Sequence, residues 1–197
     1  MEPNSKKYDV IVGGTSAGGF KLLSAILPEL REDLDIPVII VQHVQPESDD
    51  FMITHLDKIC RLKVKEAEEK EPVEPGTIYF APPDYHLLVE QDRTFSISMD
   101  MKVNFSRPSI DVLFESAADV YREKTIGFIL SGANSDGAKG LKKIADFGGT
   151  TIIQDPESSE FSEMPGSATV EVSADFIVGP DDISGLLNRI TKQNFKY

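Results

Sequence analysis

The chain has 197 residues, 40% of them hydrophobic, with no break in composition; that suffices for one sizeable core and leaves little room for a second, so residues 1–197 are read as a single domain. A formal charge of −13 argues against a nucleic-acid partner, whose phosphates demand clustered Lys and Arg. No apolar run approaches the ~20 residues that span a bilayer, and the opening Met1-Glu2-Pro3-Asn4-Ser5-Lys6-Lys7 lacks the apolar segment of a signal peptide, so no membrane insertion and a cytoplasmic location are expected.

In chain order, the β-branched run Tyr8 to Val12 leads into Gly13-Gly14-Thr15-Ser16-Ala17-Gly18-Gly19 and then into an apolar helical stripe, Phe20, Leu23, Ile26, Leu27 and Leu30. A second strand, Pro37 to Val41, ends at Gln42-His43. The pattern Met52, Ile53, Leu56, Ile59 marks another helix; His55 lies on its surface, and the single cysteine, Cys60, lies within the pattern as a small core residue. The mixed-sign run Lys65 to Glu71 reads as a solvated loop. Thr77 to Phe80 is a strand, and Leu87 to Glu90 with Phe95 to Met99, joined by Gln91-Asp92-Arg93, is an antiparallel hairpin that begins near His86. A helix carrying Ile110, Leu113, Phe114, Ala117 and Tyr121 starts at Ser106-Arg107-Pro108-Ser109, with Pro near the first turn and a serine of this segment as its cap. Strands follow at Thr125 to Leu130, Thr150 to Ile153 and Phe176 to Val178, and a last helix carries Ile183, Leu186, Leu187 and Ile190. This alternation predicts a doubly wound α/β fold: a mainly parallel sheet of about seven strands flanked by helices, with the hairpin attached.

Ser16 sits in a literal G-x-S-x-G between a strand and a helix, the setting of a nucleophile elbow. The N–H of Ala17 would then face a developing oxyanion from a helix N-terminus. Ser16 could instead merely cap the helix, but two glycines in the first turn and the absence of a Glu or Gln at Gly19 serve stability poorly. A dinucleotide turn fails on spacing, because the third positions of G-x-G-x-x-G would be Thr15 and Ser16. His43 follows a buried strand, and Asp136 lies in the turn after Leu130. Each also has a plain reading, a satisfied edge histidine and a turn aspartate. Ligands of open α/β sheets bind beyond the strands' carboxyl ends, however, and all three residues occupy that edge. A serine needs a base and the base an orienting carboxylate, so Ser16, His43 and Asp136 form a candidate triad, with one His43 nitrogen expected near the serine hydroxyl and the other at Asp136. Three scattered histidines and one cysteine show no metal-ligand spacing; neither a metal nor a cofactor is expected.

These residues resemble a family, the catalytic domain of the chemotaxis protein-glutamate methylesterases, CheB. The resemblance runs from Tyr8 to about Ile190. It rests on Gly14-Thr15-Ser16-Ala17-Gly18-Gly19, Val41-Gln42-His43, Ala81-Pro82 with His86, Arg107-Pro108-Ser109-Ile110-Asp111-Val112-Leu113-Phe114, Ser131-Gly132 through Asp136-Gly137-Ala138, Gln154-Asp155 and Met164-Pro165. It implies a serine hydrolase that cleaves glutamate γ-methyl esters on chemoreceptor cytoplasmic helices, with glutamine deamidation in some members. The family's triad falls on Ser16, His43 and Asp136, and its second oxyanion position on Ala133, where a methionine is usual. Other departures are Asn134-Ser135 before the aspartate, Val44-Gln45-Pro46 after the histidine, and Glu163 before Met164. Most members carry a receiver domain; only about seven residues precede the first strand here, so the resemblance implies a stand-alone catalytic domain without control in cis by aspartyl phosphate. The rival reading is a catalytically silent binding module of a chemosensory complex, which would not require all three triad residues. Nothing in the sequence sets the oligomeric state.

Overall fold

A computed structural model of the chain describes residues 6–45 and 50–192. The apolar runs form strands β1 (Val10–Thr15), β2 (Val38–Gln42), β4 (Thr77–Phe80), β7 (Thr125–Ile129), β8 (Thr150–Gln154) and β9 (Phe176–Val178). The seventh member of the sheet is β3 (Lys63–Glu66), at one edge, where the sequence reads partly as solvated loop. Only Val64 of this strand is buried, and charged side chains cover the rest, as suits an edge that must not pair with another chain. All neighbours are parallel, in the order β3-β4-β2-β1-β7-β8-β9. The hairpin β5 (His86–Val89) and β6 (Phe95–Ser98) forms a separate two-stranded sheet.

Side chains alternate between the two faces of this sheet. Val10, Val12, Ile39 and Val41 face one core with α3 (Ile110–Tyr121), α4 (Ala138–Asp146) and the hairpin. Ile11, Val38 and Ile40 face the other with α1 (Gly19–Ile26) and α6 (Pro180–Thr191). Continuous burial of β1, β2 and β7 is the consequence, as expected for strands covered on both sides. Two helices, α2 (Phe51–Ile59) and α5 (Glu163–Glu171), complete the layers, and no helix among the described residues is long and apolar enough to cross a membrane.

Helices α3 and α4 pack against each other, and their approach depends on Gly140. A Cβ there would stand 2.6 Å from the Phe114 Cβ and 3.1 Å from backbone atoms of Asp111, which cannot yield. Gly140→Ala is therefore expected to destabilise the fold by about 1–3 kcal/mol through overpacking, although alanine is the better helix former by ~1 kcal/mol. Urea unfolding of the two proteins measures the difference.

Candidate active site

Strand β1 ends at Thr15, and the chain then turns through Ser16, Ala17 and Gly18 into α1. The left-handed residue of this turn is Gly18, with φ 78°, and Ser16 is absent from the positive-φ residues, so the serine is presented without the backbone strain of a nucleophile elbow. Gly18 is also the N-cap of α1, with no side-chain cap bond. The reading of Ser16 as a mere helix cap is thereby set aside. Its own N–H donates to the Ser131 carbonyl at 3.0 Å, and its carbonyl accepts from the Gly19 N–H at 2.9 Å.

Gln42, the last residue of β2, ties this turn to the next one. Its buried amide Nε2 donates to the carbonyls of both Ser16 and His43, each at 2.9 Å. The His43 N–H donates to the Thr15 carbonyl at 3.1 Å, so the backbones of Ser16 and His43 are held at one level. Ser131 does the same from the other side: its Oγ donates to the Ala17 carbonyl at 3.0 Å, and its carbonyl accepts from Thr15 Oγ1 at 2.9 Å.

His43 Nε2 lies 2.9 Å from Asp136 Oδ2. Asp136 is fully buried and accepts four further hydrogen bonds: the Ile110 N–H at 2.7 Å on Oδ2, and Ser109 Oγ at 2.8 Å, Asn104 Nδ2 at 3.1 Å and the Asp111 N–H at 3.2 Å on Oδ1. Burial alone would raise its pKa; donation by His43 and by the Ile110 N–H outweighs burial and holds the carboxyl below its usual range. Of the two serines that precede α3, Ser109 is at the N-cap position, but its hydroxyl serves Asp136, and the aspartate caps the helix in its place.

A charged Asp136 keeps the proton of the imidazole on Nε2, which leaves the Nδ1 lone pair on the cleft side. Asn134 Nδ2 approaches Nδ1 at 3.5 Å, and no hydrogen bond joins the Ser16 hydroxyl to the ring. Ser16, His43, Phe105, Ser106, Arg107 and Asn134 line this one open cleft. The N–H groups of Ala17 and Ala133 donate to no described residue.

Several supporting residues escape a reading of the sequence. Asn104 Nδ2 bridges Asp136 to a second buried carboxylate, Asp111 Oδ2, at 2.8 Å; burial, with the neighbouring Asp136 charge, raises the Asp111 pKa despite a 2.7 Å bond from the Gly140 N–H. His86, at the start of the hairpin, is buried: Nδ1 accepts from the Ser109 N–H at 3.2 Å and Nε2 donates to the Met101 carbonyl at 3.1 Å. Its work is to brace the loop that feeds Asp136. Pro46, part of the departure after His43, lies outside the described residues.

A family model described as CheB methylesterase matches residues 11–187. The putative protein-glutamate methylesterase/protein-glutamine glutaminase of Leptospira interrogans serovar copenhageni is 50% identical over 189 residues, 96% of this chain and 98% of that one. The protein-glutamate methylesterase/protein-glutamine glutaminase of Thermotoga maritima is 37% identical over 172 residues, 86% of this chain but 50% of that longer one. The crystal structure of the Thermotoga maritima CheB methylesterase catalytic domain matches with a TM-score of 0.89 at 35% identity, covering 93% of this chain and 99% of that one.

The Asp136 environment has a stability consequence. In Asp136→Asn the new amide would point a donor at N–H and O–H groups that are already donors, which is expected to cost about 3 kcal/mol at neutral pH. Because the folded pKa of Asp136 is depressed, its contribution is complete above the ordinary aspartate value and is lost as pH falls through the folded one. Asp111, with a raised pKa, works in the opposite sense. Denaturant melts from pH 7 to pH 2.5 should therefore show the gap between the two proteins narrowing at the acid end.

Proposed function

This chain belongs to the CheB methylesterase family, and from that premise we propose that it hydrolyses the γ-methyl esters of glutamyl side chains on chemoreceptor cytoplasmic helices, with Ser16 as nucleophile, His43 as general base and Asp136 as the orienting carboxylate. The observation that carries the assignment is the 2.9 Å bond from His43 Nε2 to the buried Asp136 carboxylate, which leaves Nδ1 on the cleft that Ser16 lines.

The steps balance without any added group. His43 Nδ1 takes the Ser16 proton as Oγ attacks the ester carbonyl, and the oxyanion of the tetrahedral intermediate meets the N–H groups of Ala17 and Ala133. Collapse breaks the C–O bond to the methoxy group, which leaves as methanol with the proton from His43. Water, deprotonated by the same nitrogen, then cleaves the acyl-serine to free glutamate and Ser16. A glutamine amide would follow the same path and release ammonia, in keeping with the double name of the relatives.

The binding-module reading draws on one observation, the Asn134 amide beside Nδ1 where a serine hydroxyl would sit. At 3.5 Å that contact is weak, and apo triads are commonly loose. Methanol release from a methylated receptor fragment separates the two. Ser16→Ala should abolish turnover, a loss of 10³-fold or more, with an unchanged melting curve, since the hydroxyl caps no helix. Equal turnover by the two proteins would remove the nucleophile.

A further inference from the structure

The rim of the cleft contains a turn that stability does not explain. Val103 and Ser106 exchange both backbone hydrogen bonds, at 3.1 and 2.8 Å, around the two central residues Asn104 and Phe105. Both have positive φ, 48° and 63°, the signature of a mirror-image two-residue turn whose second position is normally glycine. Here that position holds a phenylalanine, a bulky side chain for which positive φ is a strained conformation. It gains no burial in return, for Phe105 is 98% exposed. Asn104 is accounted for by its bonds to Asp111 and Asp136, but nothing within the described residues accounts for Phe105.

The same segment displays Met99 and Met101, 65% and 88% exposed. It is nevertheless held firmly. Arg107 pairs with Asp84 at 2.8 Å and donates to the carbonyls of Met99 and Asp100 at 2.9 and 3.2 Å, while His86 holds the Met101 carbonyl. A braced loop therefore presents three apolar side chains, and Phe105 lines the same cleft as Ser16. Lys102, also in that lining, adds a cation at the mouth on a chain of net charge −13.

We propose that Phe105, with Met99 and Met101 exposed on the same loop, is a specificity-determining docking surface for the apolar side chains that adjoin the esterified glutamate on an amphipathic helix of the substrate protein. The proposal rests on the ester-hydrolase reading above. When a glutamyl side chain reaches down to Ser16, residues one turn away on its helix lie ~5–6 Å to either side, over the rim. Flexible methionines suit a surface that accepts several such sites, and a fixed aromatic supplies an anchor.

The test uses the Ser16→Ala protein, so that binding is read without turnover. Its Kd for a methylated chemoreceptor fragment is compared with and without Phe105→Gly, and with Phe105→Asn as a second variant whose side chain also tolerates positive φ. The expected result is binding weakened about tenfold in both, as for loss of an anchor residue, with a melting temperature raised by a few degrees in Phe105→Gly as the strain is relieved. A Kd unchanged within about twofold would overturn the proposal. Hydrolysis of a small glutamate γ-methyl ester by the otherwise unaltered chain reports separately on the hydrolase reading; its failure would strike that reading and leave the binding comparison intact.

Discussion

An ionised carboxylate taken wholly out of water must be compensated almost completely, and Asp136 sets that condition for everything around it. Five donors converge on it from three separate places: the end of β2, the turn at Asn104, and the first turn of α3. Asp111 returns the favour across the helix pair. Asp136 precedes α4 and caps α3, while Asp111 belongs to α3 and receives the Gly140 N–H near the start of α4. Each helix thus supplies or adjoins the anion that the other's N-terminus needs. Two carboxylates so close would repel, and Asn104, donating to both, is placed where a neutral bridge offsets that repulsion.

This cross-capping reaches the glycine-rich turn as well. Gly14 has no room for a Cβ because the side chain of Ile110 occupies the space, and Ile110 is the residue whose N–H is bound to Asp136. Gly19 is crowded in the same way by Gln42 and Thr15, and Gln42 is the residue that binds the carbonyls of Ser16 and His43. The glycines of this turn thus serve close packing, and left-handed backbone within it is confined to Gly18.

The sequence makes the central strands legible because burial on both faces leaves long β-branched runs. It hides β3, where one inward valine stands among Lys and Glu, and it hides α4 and α5. On α4 the inward residues include Ala138 and Gly140, too small to mark a stripe, and α5 buries only Met164, Pro165 and Ala168. Ser16, His43 and Asp136 are readable because each directly follows a strand or its turn, and the fold class says where such ends meet. Asn104, Asp111 and Gln42 are not, since a polar residue's need for a partner across the molecule leaves no local pattern. Ser109 shows the limit plainly: its position is that of a helix cap, but its hydroxyl is drawn to a carboxylate beyond the helix.

The convergence of the three residues follows from sheet register rather than from any long-range contact designed for each. β1 is flanked on both sides by parallel partners, with Thr15 level with Gln42 and Gly14 level with Ile129, so the chain leaves all three strands at one height. The connections then diverge: α1 covers one face and α3 with α4 the other, which opens a crevice at the point where strand order reverses. Slipping any of these pairings by one residue would invert its inward and outward side chains, so core and site would fail together. The alternating burial of Val10, Ile11 and Val12 between the two cores therefore guards the register. Through the register it also guards the position of Ser16, the serine at the end of β1.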